Sequence, residues 1–260
     1  MLQPYVLRIV STHRKVGKTL LGTEVVKELL SKGIKVAVIK HAHGGIKLEG
    51  DSSRYLTSGA DYVVLTTDDL IINYLRVGGK SLKEIINSLP RAYGLVLAEG
   101  FKGEDVGDAV LVVNDLGEVK EGLRVVKGSV IATYLMKEGS NYPTEAHGLK
   151  VLHGELGVKE LVELVINRAI EYLSNQLPKL NCGLCGFRSC GDLARAYLLS
   201  RTVWCPRLLN VELVVNGTEV HLVPFVKELI TRTLVGMVTS LKGVPKDMNE
   251  IKEVIIKIRK

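Results

Sequence analysis

Residues 9–21, IVSTHRKVGKTLL, constrain this chain more than any other string in it. A strand-like run, Tyr5 to Val10, leads into a Gly-Lys-Thr turn, and a helical pattern from Lys18 to Ser31 leads out, ending at Gly33. A strand that hands over to a helix through such a turn commits the chain to a crossover unit, and so to a parallel sheet covered by helices. The turn matches G-x-x-x-x-G-K-[ST] at Gly17, Lys18 and Thr19, with Thr12 where the pattern has its first glycine.

The alternation continues to about residue 150. Lys35 to Ile39 reads as a fully buried second strand, because both faces of its run are apolar. Further strands are expected at Tyr62 to Leu65, Ile71 to Val77, Gly94 to Ala98, Ala109 to Val113 and Val130 to Thr133. Ser81 and Glu84 form a capping box for a short helix ending near Leu89. From Gly157 to Asn175, Val158, Leu161, Val162, Val165, Ala169 and Leu173 share one helical face. The expected fold is α/β: a P-loop NTPase-type, mostly parallel sheet flanked by helices over residues 1–176. A small α+β unit, which carries all four cysteines, would follow over residues 177–260.

The turn has the chemistry of a polyphosphate cradle. Backbone N–H groups along Thr12, His13, Arg14, Lys15, Val16 and Gly17, with the positive end of the following helix, would surround a β-phosphate. Lys18 would bridge the β- and γ-phosphates, and the Thr19 hydroxyl would ligate Mg²⁺. Arg14 and Lys15 either add cations there or are solvated loop charges. Glu99 ends the apolar run LVLAE and is placed to hold Mg²⁺. Asp51, in GDSSR, is a second candidate carboxylate, or the N-cap of a short helix. These two carboxylates are also the candidate catalytic groups. His41 and His43 flank one residue after the second strand and are more often plain loop histidines than ligands. Asn114-Asp115 either reads a guanine edge or starts a turn.

All four cysteines fall between Cys182 and Cys205, as C-x2-C-x4-C-x14-C through Cys185 and Cys190. A disulfide scaffold spreads its cysteines, so one tight group argues for a metal centre. Four thiolates suit [4Fe–4S] or Zn²⁺; three close ligands and a remote fourth before Pro206 favour the cluster. A helix is expected from Asp192 to Thr202, a hairpin turning at Asn216-Gly217, a helix from Pro224 to Val238 and a last strand from Val254 to Ile258.

The formal net charge of +7 is spread along the chain and either suits an anionic ligand such as a nucleotide or is simply a basic solvated surface. No nucleic-acid-binding signature accompanies it, and no apolar run reaches the length of a membrane span. The N-terminus lacks the marks of a signal peptide, and a cytoplasmic protein is expected.

With these strings placed, the first ~165 residues resemble the MobB family of molybdopterin-guanine dinucleotide biosynthesis adapter proteins. The resemblance rests on VGKT, IKHAHG, GDSSRYLTSGA and LAEGFK in that order. It implies a GTP-binding (or ATP-binding), often dimeric α/β protein with at most weak GTPase activity. It also implies a partner: a guanylyltransferase of the molybdenum or tungsten cofactor, or a molybdoenzyme. The region after residue 176 lies outside the family's common core. LPKLNCGLCGFRSC…WCP is instead similar to the four-cysteine [4Fe–4S] domains of certain electron-transfer and corrinoid proteins. That similarity leaves open a nucleotide-gated electron-transfer or cluster-carrier protein.

Overall fold

The computed structural model describes residues 2–42, 54, 55, 57–75, 79–89, 93–137, 139, 142–199, 203, 205–208, 211–245, 251 and 253–256. Strand β1 (Tyr5–Val10) leads through the Gly-Lys-Thr turn into α1 (Lys18–Ser31). Gly33 closes α1 with φ 77°: the N–H of Ile34 reaches the Leu29 carbonyl and that of Gly33 the Leu30 carbonyl, a Schellman stop. There follow β2 (Val36–Lys40), β3 (Tyr62–Thr66), β4 (Ile71–Leu75) and α2 (Leu82–Asn87). Next come β5 (Leu95–Glu99), β6 (Asp108–Val113), α3 (Val119–Val125) and β7 (Ser129–Leu135). Strands β8 (Glu145–Ala146) and β9 (Leu149–His153) precede the long α4 (Gly154–Asn175). The cysteine segment carries α5 (Cys190–Leu198); a small hairpin, β10 (Val214–Val215) and β11 (Thr218–Glu219), and α6 (Pro224–Ser240) complete the elements.

The main sheet runs β2-β5-β1-β6-β7-β9-β8. All neighbours are parallel except β8, which pairs antiparallel with β9. Alternation along the strands divides the core between two faces. Tyr5, Leu7 and Ile9 of β1 join α1 and α4 through Leu21, Val25, Leu161 and Val165. On the opposite face, Val6 and Val96 meet α2 through Leu82 and Ile86, while Val10 and Leu111 meet Val119 of α3. The result is a three-layer α/β fold. Its P-loop-bearing strand is central and wholly buried.

Arg8 lies on the α2/α3 face of β1 and is fully buried. It donates hydrogen bonds to the carbonyls of Phe101 (3.2 Å), Glu104 (2.5 Å) and Lys127 (2.7 Å). It thereby fastens the loop that leaves the end of β5. Burial lowers its pKa, and the nearby Asp105, Asp108 and Glu104 work in the opposite sense.

Several expectations need correction. Strand β2 is an edge of the sheet, not buried on both faces, and Val38 is 55% exposed. The runs at residues 62–66 and 71–75 do not join the parallel sheet. They pair with each other as an antiparallel ribbon whose Tyr62, Ile71 and Leu75 are exposed. Residues 254–256 are not a strand. The sequence reading also lacked α3, β8 and β9. Asp51 and His43 lie outside the described residues. The hairpin at Asn216-Gly217 turns with φ of 52° and 82°, the positive pair of a type I′ turn.

Because the strands are parallel, their two ends differ. The P-loop, Lys40 and Glu99 lie at the C-terminal ends. Helix α5 packs at the N-terminal ends: the Tyr197 hydroxyl donates to the Leu2 carbonyl (3.1 Å), and Leu198 lies against Gly94, the residue before β5. Leu193, Ala194, Tyr197 and Leu198 belong to the same core as β1 and α4. A Cβ on Gly94 would stand 2.7 Å from the Leu198 Cα, a backbone contact that cannot rotate away. Gly94→Ala should therefore lever α5 outward. The expected cost is about 1–3 kcal/mol in urea unfolding, with cleavage of the cysteine segment by trypsin accelerated. A variant as stable and protease-resistant as wild type would show that this contact does not hold α5.

Candidate functional site

The loop after β1 is built for anions by its backbone. Gly17 takes φ 101° and Lys15 φ 60°, so the chain turns sharply before α1 begins without a side-chain cap. Helix N-termini of this kind present unpaired N–H groups. A Cβ on Gly17 would meet only the flexible end of Met136, so it is the positive φ rather than space that favours glycine there. Thr12 does not have positive φ. Its hydroxyl donates to Glu118 at 3.4 Å, across the gap to the start of α3. The departure from glycine at that position thus costs no backbone strain. Val16 is buried and anchors the loop, while His13, Arg14 and Lys15 are exposed.

Lys18 folds back over its own loop. Its ammonium donates to Ser11 Oγ at 2.6 Å and to the His13 carbonyl at 3.3 Å. Ser11, which sequence reasoning passed over, is buried and itself donates to the His13 carbonyl at 2.6 Å. Burial lowers the Lys18 pKa; Glu99 opposes this, while Lys102 and Lys40 add to it. A cation held with its charge incompletely solvated and beside two more ammonium groups is poised for a polyanion.

Beside it, the Thr19 hydroxyl lies 2.9 Å and 3.0 Å from the two carboxylate oxygens of Glu99. Register explains the meeting: β5 pairs with β1 and β2, so Glu99 ends its strand next to the P-loop and opposite Lys40. Lys40 Nζ reaches Thr19 Oγ1 at 3.0 Å and Glu99 Oε2 at 3.2 Å. Sequence reasoning missed Lys40; its place immediately before His41 at a strand end was the available signal. A hydroxyl and a carboxylate in contact are hard oxygen donors, and they fit Mg²⁺. The His41 ring lies 5.3 Å from that of Phe101, tilted by 58°. Asp115 accepts from the Gly117 N–H at 2.8 Å and caps the short turn before α3, so Asn114-Asp115 starts a turn here.

The four cysteines form no disulfide. Cys185, Phe187, Cys190 and Cys205 pack on the main core beside α5. Burial pushes the Cys205 thiol up, with Cys185 and Cys190 adding to it, while backbone N–H groups of Arg207 and Leu208 pull it down. The Leu184 N–H is the main cause that lowers the exposed Cys182 thiol, and the Arg207 side chain assists. Free thiols met by backbone N–H donors and grouped in sequence fit the donor set of a thiolate-bound centre. Among the described residues, no three His, Cys, Asp or Glu side chains already stand close enough to hold one metal ion.

A central parallel sheet, a strand–loop–helix phosphate turn and a hydroxyl–carboxylate pair at the same strand ends define a P-loop-type α/β protein. Residues 6–133 match the family described as MobB, molybdopterin guanine dinucleotide synthesis protein B. Residues 177–201 match a family described as "Putative Fe-S cluster". The molybdopterin-guanine dinucleotide biosynthesis adapter protein of Haemophilus influenzae is 31% identical over 138 residues, covering 50% of this chain and 71% of that one. A Methanocaldococcus jannaschii protein named "Putative molybdopterin-guanine dinucleotide biosynthesis adapter protein" is 24% identical over 238 residues, covering 89% and 90%. The chain belongs to the MobB family. Among solved structures, Bacillus subtilis MobB superposes with a TM-score of 0.49 at 22% identity, over 63% of this chain and 97% of that one. Another MobB crystal structure gives a TM-score of 0.49 at 27% identity, over 63% and 98%. None of the described helices is long and apolar enough to cross a membrane.

Proposed function

We propose that this chain is a GTP-binding adapter that assists formation of the guanine dinucleotide form of the molybdenum or tungsten cofactor. The observation that carries this reading is the contact of Thr19 with Glu99 beside Lys18. In this reading the loop from Thr12 to Gly17 surrounds the phosphates and Lys18 leaves its own loop to bridge them. Thr19 and Glu99, with Asp51, hold Mg²⁺, which would supply charge neutralisation between the phosphates. The two curated relatives are adapters by name, which supports delivery of nucleotide to a partner guanylyltransferase or molybdoenzyme. Any hydrolysis would be slow, with Glu99 and Asp51 ordering water.

Cys182, Cys185, Cys190 and Cys205 would hold a [4Fe–4S] cluster, with zinc as the alternative. The packing of Cys185, Cys190 and Cys205 on the main core, with the far end of α5 at the strand ends remote from the P-loop, favours a structural or partner-facing role over nucleotide gating of electron transfer.

Calorimetric titration with GTP and ATP in Mg²⁺ tests the first part. GTP is expected to bind at least about tenfold tighter than ATP, a difference of about 1.4 kcal/mol. Failure of both to bind would overturn the reading. Iron, sulfide and zinc analysis after anaerobic purification tests the second: stoichiometric zinc without iron would replace the cluster.

A further inference from the structure

Lys40 occupies the oxygen pair that would hold a divalent ion in the nucleotide reading. Its ammonium contacts both oxygen donors of the pair, Thr19 Oγ1 at 3.0 Å and Glu99 Oε2 at 3.2 Å. The Glu99 side chain is only 15% exposed, and that of Lys40 is 51% exposed. One group is therefore fixed and the other has room to leave. The Thr19 hydroxyl donates to Glu99 and accepts from Lys40, so all three groups form one closed polar triangle. Backbone pairing sets the geometry, since Lys40 is the register partner of Glu99 across β2 and β5.

We propose that Lys40 is a resident cation: it holds the Thr19–Glu99 pair in place before Mg²⁺ arrives, and the nucleotide-bound ion must displace it. This rests on the nucleotide reading above and adds a regulatory residue to it. A second cation on the same oxygens would be repelled by about 4 kcal/mol per unit charge at 4 Å and an effective dielectric of 20, which disfavours joint occupancy. The Mg²⁺ requirement for nucleotide binding is therefore set by competition with a side chain. Lys18 keeps its role on the phosphates throughout.

The test is a Mg²⁺ titration of GTP binding for wild type, Lys40→Met and Lys40→Arg. Removing the competitor is expected to lower the Mg²⁺ concentration at half-saturation by about threefold or more. Lys40→Arg keeps the charge and should need as much Mg²⁺ as wild type. The comparison is repeated in ~0.5 M KCl, where charges beyond roughly 5 Å are largely screened and a contact pair is screened less. A difference that persists there supports displacement. An unchanged or raised midpoint in Lys40→Met, with GTP still bound, overturns the proposal and leaves the nucleotide reading standing. A difference that disappears in high salt also overturns it, because general repulsion then suffices. No GTP binding by wild type or variant at any Mg²⁺ concentration sinks the nucleotide reading, and the proposal with it.

Discussion

Lys18→Ala should weaken GTP binding by a factor of about 100 to 1,000, or about 2.7–4 kcal/mol, without weakening the fold. The size follows from what the ammonium gives up and gains. In the free protein it bonds one hydroxyl and one carbonyl, both neutral. On a triphosphate it would meet full negative charge in a partly desolvated pocket, where a unit pair at 4 Å is worth about 4 kcal/mol at an effective dielectric of 20. Stability should move the other way. Burial holds the Lys18 pKa below its ordinary value, so the charged form costs folding free energy. That cost is fully present below the folded-state pKa and is gone above the unfolded-state value. At neutral pH the alanine variant should therefore melt at the same temperature as wild type or slightly higher. Calorimetric titration and a melting curve on one preparation check both halves. Unweakened binding would mean that the ammonium does not reach the phosphates.

Arg8→Met should be the most damaging substitution in the sheet, lowering stability by about 3–5 kcal/mol. Methionine fills much of the volume, so the loss is chiefly polar. Three partly buried carbonyls, of Phe101, Glu104 and Lys127, lose their donor together. Asp105, Asp108 and Glu104 lose the cation that faces them. Urea unfolding measures the effect as a shift in midpoint at constant slope. The same variant should also weaken GTP binding, because the fastened loop begins directly after Glu99. A loss below about 1 kcal/mol would mean that water replaces the guanidinium at those carbonyls.

The P-loop unit was legible because its limits are chemical. Gly17 and Gly33 both take positive φ, and they bracket α1. The Ser81–Glu84 box set the start of α2 in the same local way. What failed was anything decided by neighbours distant in sequence. Val38 sits on an edge because β5, not another strand beyond, pairs with β2, and no local pattern records that. The ribbon of β3 and β4 has the same strand-forming residues as the sheet but a different partner. Strand β9 runs straight into α4 at Gly154, with no loop between them to mark it as a separate element. At the site, Thr19 and Glu99 were readable from their strings. Lys40 and Arg8 were not, since their meaning comes from contacts across strands.

The C-terminal turn of α5 and the phosphate turn sit on opposite poles of the same strands. A five-residue strand such as β5 spans about 17 Å, so the two poles are separated by the thickness of the molecule rather than by a shared pocket. A ligand on the phosphate turn would thus leave the opposite pole open, and only the strands and the long flanking helices join the two.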